Sequence, residues 1–81
     1  ASHLKYPTVA QENGIQGRVF VSFVVGEDGY VEDVRVIKGV EPMLDKEAVR
    51  VIQSLPRWTP GNQQGKPVRV KYTVPVTFAL Q

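Results

Sequence analysis

The stretch Val68-Arg-Val-Lys-Tyr-Thr-Val-Pro-Val-Thr-Phe-Ala-Leu80 alternates apolar and largely polar residues over its whole length. Every even-numbered position is apolar, and side chains on a strand point alternately to its two faces, so the pattern predicts one long, half-buried β-strand. Pro75 lies in its middle, and proline, which has no N–H to donate, occurs in sheets on edge strands. We therefore expect a long edge strand with backbone groups to which another chain could add.

Length and composition favour one small globular domain. The chain has 81 residues, of which 42% are hydrophobic and 22% are charged, as in ordinary globular proteins. We expect a single domain over residues 1–81, with residues 1–5 as a frayed N-terminal linker. No apolar run approaches the ~18 residues of a membrane span. We interpret the sequence as a domain of a longer protein, so any membrane anchor would lie outside it.

The residue content argues against several kinds of site. There is no cysteine and one histidine, His3, so disulfides and metal sites built on nitrogen or sulfur are excluded, and no cofactor is predicted. The serines have no histidine base placed to activate them, and a thin sheet offers no cleft for a catalytic carboxylate pair. The ten basic residues are scattered along the chain, which argues against nucleic acid as a partner. The chain is predicted not to be an enzyme.

The first part of the chain predicts a short helix and then a strand. Residues 6–14 begin with Tyr6-Pro7 and end at Gly14, which are signals for a helix start and for a left-handed cap. Gly17 opens a strand with two apolar faces, which is typical of a central strand. One face carries Val19, Val21, Phe23 and Val25, and the other carries Arg18, Phe20, Ser22 and Val24. Asp28-Gly29 then predicts a hairpin turn.

The returning strand has an irregular register. Val31 and Val34 are three residues apart, so simple alternation would put them on opposite faces. One extra residue between them would bring Val31, Val34 and Val36 opposite Val25, Phe23 and Val21. We therefore predict a β-bulge near Glu32 or Asp33.

The second half predicts an amphipathic helix, a turn-rich loop and the last strand. Apolar residues recur at spacings of three and four over residues 43–54, and Pro56 stops the helix. Residues 61–67 are rich in turn formers. The lengths of the connections place the last strand beside the first. The predicted fold is α+β: a three-stranded antiparallel sheet in the order 2-1-3 with two helices packed on one face, that is, a ββαβ core preceded by a short helix.

Three side chains allow two interpretations each. Trp58 is either a platform for a ligand or an anchor of the core, and the core anchor is favoured. Arg69 and Lys71 either attract an anionic partner or only keep an edge strand soluble and protected from pairing. The edge itself is either available for pairing or protected by Pro75.

The order of short motifs resembles the TonB C-terminal domain family. The structural motif consists here of Tyr6, Pro7, Gly17, Asp28, Gly29, Trp58, Pro60, Gly61, Pro75 and Phe78. The match covers about residues 6–80, in order and without large insertions. The phrases Trp-x-Pro-Gly and Pro-Val-x-Phe are most similar to the versions found in Bacteroidetes-type bacteria.

The resemblance implies a periplasmic domain at the end of an inner-membrane energy transducer that works with the ExbB–ExbD motor. In this family the last strand takes up the TonB box of outer-membrane TonB-dependent receptors by β-strand addition. These receptors import siderophores, vitamin B12 or glycans. Carried over to this chain, the peptide-binding stretch consists of Val68, Arg69, Val70, Lys71, Tyr72, Thr73 and Val74.

Two other functions stay open at this point. Similar domains occur on membrane metallopeptidases of the antibiotic-sensor type, where they would act as periplasmic sensing or docking modules. The domain could also be a structural dimerisation module, and a homodimer is a further expected state because long exposed edges invite strand exchange.

Overall fold

The computed structural model of the chain describes residues 4–58 and 60–80. Two helices and five strands follow one another along it. They are α1 (Thr8–Glu12), β1 (Gly17–Val25), β2 (Val31–Lys38), α2 (Pro42–Gln53), β3 (Gly61–Gln63), β4 (Lys66–Val68) and β5 (Val70–Phe78).

The main sheet has three antiparallel strands in the order β2-β1-β5, so the predicted order 2-1-3 is confirmed. β1 is the central strand, as its two apolar faces predicted. It pairs with β5 without interruption, from Gly17 opposite Phe78 to Val25 opposite Val70.

The last strand is shorter than predicted. We expected one strand from Val68 to Leu80, whereas β5 ends at Phe78 and a break at Arg69 separates it from β4. The limit is set by β1, which supplies pairing partners only over its own nine residues. Beyond them, the N–H of Leu80 donates instead to Oε1 of Gln16, at 2.8 Å.

β2 contains two bulges, of which one was predicted. Between the pairs Ser22–Arg35 and Val24–Glu32, β2 has one residue more than β1, and Asp33 there has a φ of 53°. This confirms the predicted bulge. A second extra residue, Ile37, was not predicted; it has no partner in the ladder and is 59% exposed.

The core lies between the sheet and the two helices. Alternate residues of β1 are fully buried on the helix side, as predicted, and α2 packs mainly over β2 and β1. The buried apolar residues are Ala10, Val19, Val21, Phe23, Val25, Leu44, Ala48, Ile52 and Phe78.

Local hydrogen bonds fix the start of α2, which lies within one residue of the prediction. The Glu41 carboxylate accepts from the N–H groups of Met43 and Leu44, at 3.1 and 3.3 Å. Asp45 reaches back to accept from the N–H groups of Val40 and Glu41, at 2.9 and 3.3 Å. The first N–H groups of a helix have no partner within the helix, and these two carboxylates accept hydrogen bonds from them.

α1 is shorter than the predicted helix over residues 6–14. Pro7 is extended, with a ψ of 131°, and acts as the residue that precedes the helix. The hydroxyl of Tyr6 donates to the carbonyl of Ile15, which ties the two ends of this segment together. Gly14 has a φ of +65°, so the predicted left-handed cap is confirmed.

The segment before α1 is attached to α2. Leu4 packs against the core, and the N–H of Lys5 donates to Oε2 of Glu47, at 2.6 Å. Arg50 forms an ion pair with the same carboxylate, at 2.7 Å. Of the predicted frayed segment 1–5, residues 1–3 lie outside the described residues.

A small hairpin replaces the predicted loop over residues 61–67. β3 and β4 pair from Gly61 opposite Val68 to Gln63 opposite Lys66. The two residues between them, Gln64 and Gly65, both have positive φ, which is the geometry of a tight hairpin turn. The turn-forming composition indicated a reversal, but it did not reveal that the flanking residues pair.

The connection after α2 is attached to the β1–β2 turn. The N–H of Trp58 donates to the carbonyl of Gly29, at 2.7 Å, and Gly29 has a φ of +86°. A Cβ at position 29 would overlap the carbonyl oxygen of Trp58. Only glycine combines this conformation with such a close approach.

We expect Gly29→Ala to destabilise the domain by about 2–5 kcal/mol, because it adds steric overlap to left-handed strain. Gly14→Ala is the matched control, since position 14 has a positive φ and open space around it. It should cost only the strain, about 1–2 kcal/mol. Urea unfolding of the two variants measures both values, and equal losses would contradict the close approach at Gly29.

Glu47 should make stability depend on pH. The hydrogen bond from Arg50 lowers the pKa of Glu47, against a smaller opposing effect of burial, and the Lys5 N–H adds to the lowering. A carboxyl whose folded pKa lies below its unfolded pKa stabilises the fold above the unfolded value, and this is lost as the pH falls through the folded value.

The free energy of unfolding of Glu47→Gln should therefore lie below that of the wild type at pH 7 and converge with it as the pH falls through the folded pKa of Glu47. Urea titrations at three pH values measure the difference. Glu12→Gln, at an exposed position of α1, is the control and should stay close to the wild type at each pH. A wild-type advantage over Glu47→Gln that is independent of pH would contradict the role of the Glu47 charge.

Candidate functional site

The sheet has two open edges, and they differ in regularity. β2 forms one edge and is interrupted by both bulges. Bulges twist an edge and make it a poor template for a further strand. β5 forms the other edge and keeps one register with β1 over nine residues. β5 is therefore the more regular of the two open edges.

Pro75 indicates which backbone groups of β5 face outward. It lies inside the ladder opposite Phe20, and a proline fits there when its nitrogen points away from the neighbouring strand. Backbone groups two residues apart point to the same side. We infer that Lys71, Thr73 and Thr77 direct their N–H and C=O groups to the open edge. The N–H of Leu80, in the opposite phase, points toward β1 and bonds Gln16.

An aromatic cluster lies on the helix side of this edge. Phe23, Trp58 and Tyr72 contact one another with ring centroids 5.5–5.7 Å apart. Trp58 packs against the buried core, which confirms that it is a core anchor. Trp58 and Tyr72 also cover the part of the sheet next to β5, because α2 lies mainly over the other two strands. The sequence pointed to each aromatic residue separately but gave no signal that they meet.

The apolar face of β5 is only partly covered. Val70, Val74 and Val76 are half-buried, and Tyr72 is 37% exposed. At the far end Phe78 is fully buried beneath the ring of Tyr6, with centroids 5.4 Å apart. An added strand would place every second side chain along this half-buried stripe.

The predicted peptide-binding stretch divides between two elements. Residues 70–74, from Val70 to Val74, all lie in β5. Val68 belongs to β4 and already pairs with Gly61. Arg69 lies between the strands and forms an ion pair with Glu32, at 2.6 Å. Lys71 is exposed on β5.

The motif residues outside β5 hold turns and close contacts. Oδ1 of Asp28 accepts from the N–H of Tyr30, at 3.0 Å, as in an Asx-turn. A Cβ at Gly17 would lie 2.9 Å from the Val40 side chain, and one at Gly61 would overlap Val70. These positions shape the fold around β5 and hold no reactive group.

One groove was not predicted. It is open, has a volume of about 630 Å³, and lies beside α2. Most of its surface is apolar, and Pro7, Val36, Met43 and Val49 line it together with polar and charged residues of α2. Among residues 4–58 and 60–80 there is no cluster of three or more His, Cys, Asp or Glu side chains that could hold a metal ion.

Comparison with known proteins identifies the family. The family model "Gram-negative bacterial TonB protein C-terminal" matches residues 2–80, which is nearly the whole chain. The chain belongs to the TonB C-terminal domain family. The resemblance found in the sequence motifs is thereby confirmed.

Curated relatives carry the TonB name. Protein TonB of Helicobacter pylori is 32% identical over 82 residues, which is 100% of this chain and 27% of that protein. Protein TonB of Pseudomonas aeruginosa is 33% identical over 76 residues, which is 94% of this chain and 22% of that protein. The chain thus spans about a quarter of the length of these relatives.

Solved TonB domains share the fold. The solution structure of a Helicobacter pylori TonB C-terminal domain aligns with a TM-score of 0.74 and 29% identity, covering 96% of this chain and 70% of that one. The Pseudomonas aeruginosa TonB C-terminal domain aligns with a TM-score of 0.69 and 30% identity, covering 99% and 81%. None of the helices within residues 4–58 and 60–80 has the length and hydrophobicity of a membrane span.

Proposed function

We propose that this domain binds the TonB box of outer-membrane TonB-dependent receptors by strand addition to β5, and that it is the periplasmic end of an inner-membrane energy transducer. Energy derived from the proton-motive force would reach the receptor through the added strand and drive uptake of siderophores, vitamin B12 or glycans. The ExbB–ExbD motor would act through other parts of the protein. This function is non-enzymatic.

One observation carries the proposal: β5 is an open and regular edge, whereas the opposite edge is bulged twice. Strand addition needs a run of outward N–H and C=O groups at constant spacing, and main-chain hydrogen bonds then give affinity with little demand on sequence. Lys71 and Thr73 supply such groups. Pro75 has no N–H to donate, so we expect an added strand to pair only with the part of β5 before it.

The stripe of half-buried side chains favours an apolar segment. Tyr72 and Val74 lie on this stripe, and the side chains of an added strand opposite them would cover it. Apolar area removed from water stabilises a complex by about 25 cal/mol per Å². The backbone would thus set the register, and the stripe would select alternate apolar side chains.

Amide signals in NMR spectra test the site. We expect a synthetic peptide carrying the TonB box of a receptor to shift the signals of Val70 to Val74, while signals of β2 change little. The molecular mass of the complex, from light scattering, separates peptide addition from dimerisation. Shifts confined to β2 or α2 would overturn the proposed edge, and a mass that rises with concentration without any response to peptide would favour the dimerisation module.

Two proline substitutions test which outward N–H groups of β5 pair with the peptide. Thr73→Pro removes one outward N–H before Pro75, so peptide affinity should fall about twofold to tenfold, the effect of one lost hydrogen bond of about 0.5–1.5 kcal/mol.

Thr77→Pro is the matched control for that measurement. It removes an N–H of the same phase beyond Pro75, where peptide is not expected to pair, so affinity should be unchanged. Calorimetric titration gives both affinities, and circular dichroism checks that each variant is folded. Equal affinities of Thr73→Pro and wild type would exclude pairing along this part of β5.

A further inference from the structure

The face of the sheet that the helices leave open collects positive charge. Residues directly opposite each other in a sheet share a face, so the register puts cations of all three strands on the side of Phe20 and Val24. On or beside this face lie Arg18, Arg35, Lys38, Arg69 and Lys71. Four carboxylates lie at the turn end of this face: Glu32 and Asp33 of β2, and Glu27 and Asp28 of the β1–β2 turn, which line one depression with Glu32 and Arg69. The positive charge is therefore concentrated toward the opposite end, around Arg18 and Lys38.

Two of these cations already have partners, and three do not. Arg35 pairs with Asp33 at 2.9 Å, and Arg69 pairs with Glu32 at 2.6 Å. Within the described residues, Arg18, Lys38 and Lys71 form no ion pair. Charge available for a partner is therefore concentrated at these three side chains.

The unpaired cations flank an apolar strip. Phe20 lies between Lys38 of β2 and Pro75 of β5, and Val24 lies opposite Lys71. Ser22 lies between them on β1 and is only 4% exposed, so neighbouring side chains cover the middle of the face. Phe20 and Val24 are half-buried, whereas Arg18, Lys38 and Lys71 beside them are exposed. Their separation of four residues corresponds to about 13 Å along the strand.

This arrangement fits a carboxylate-bearing protein surface better than a lipid bilayer. A bilayer is bound by exposed apolar side chains that insert into it, whereas Phe20 and Val24 are half-buried between exposed cations. Carboxylates about 13 Å apart could meet Lys71 at one end and Arg18 and Lys38 at the other. Opposite charge across an interface also accelerates association and fixes register.

We propose that the open face is a second contact surface, which binds an acidic surface of the same protein whose segment adds to β5. Lys71 and Thr73 belong to both surfaces, so a partner held at the β5 edge would lie beside the open face. The identity of the partner in this inference rests on the proposed function. The charges on the face follow from the sheet register alone and do not depend on that function.

The test uses three synthetic peptides with the same TonB-box segment. Each is extended through an eight-residue Gly-Ser spacer, which reaches about 15 Å, by four Glu, four Ser or four Lys residues. The Glu peptide should bind about tenfold more tightly than the Ser peptide at low salt, and the gain should shrink as salt screens the charges.

Charge reversal assigns this gain to the face. The double variant Arg18→Glu and Lys38→Glu should abolish the gain while leaving the affinity for the Ser peptide unchanged, because both residues lie away from the β5 edge. Lys46→Glu combined with Lys66→Glu changes the net charge equally but lies off this face, and it should keep most of the gain. Equal affinities of the Glu and Ser peptides, or equal losses in both double variants, would overturn the proposal.

Two further arms separate this proposal from the other outcomes. Free octaglutamate should shift the amide signals of Arg18, Lys38 and Lys71, and octalysine should not. If no TonB-box peptide binds β5, the proposed function fails, while octaglutamate still reports on the face. Binding to phosphatidylglycerol vesicles that is lost in Arg18→Glu with Lys38→Glu, without any response to octaglutamate, would assign the face to lipid and overturn the proposal.

Discussion

The pairing of β1 with a strand on each side is the constraint on which the rest of the structure depends. β1 supplies the buried row of the core on one face and the floor of the open face on the other. Its nine residues also set where β5 begins and ends. In an 81-residue domain with a thin core, this one strand therefore fixes the register of both edges and the length of the candidate site.

The two edges of this small sheet differ in how well they could pair with a further strand. Each bulge in β2 spoils the spacing of outward backbone groups and protects that edge from pairing. β5 remains regular, and its only interruption is Pro75, which removes a donor without disturbing the ladder to β1. A proline at this position thus removes one outward donor, which would end the proposed binding stretch, and leaves the strand itself intact.

The surroundings of β5 come from distant parts of the chain. Trp58 reaches the edge because its backbone is held by Gly29 in the β1–β2 turn, and its ring then meets Tyr72. Arg69, which precedes β5, forms an ion pair with Glu32 of β2. An extended segment added at this edge would contact a surface assembled from the turn, the connection after α2 and β5 together.

Much of the fold follows from local patterns. Alternation along β1 and β5, the three-residue spacing of Val31 and Val34, and the position of Pro75 predicted the strand order, the bulge at Asp33 and the open edge. These features depend on which face a side chain occupies, and that is a property of neighbours in sequence. The second bulge at Ile37 and the β3–β4 hairpin were missed, because neither their residue types nor their spacing distinguishes pairing from an ordinary loop.

The sequence by itself determined the strand faces, the central and edge strands, and the family, because alternation and turn residues act over a few positions. Only the tertiary structure decided the ends of β5, the cluster of Phe23, Trp58 and Tyr72, and the charge of the open face. Basic residues that are scattered along the chain come together there because antiparallel register brings distant residues side by side, and that register depends on packing of the whole sheet.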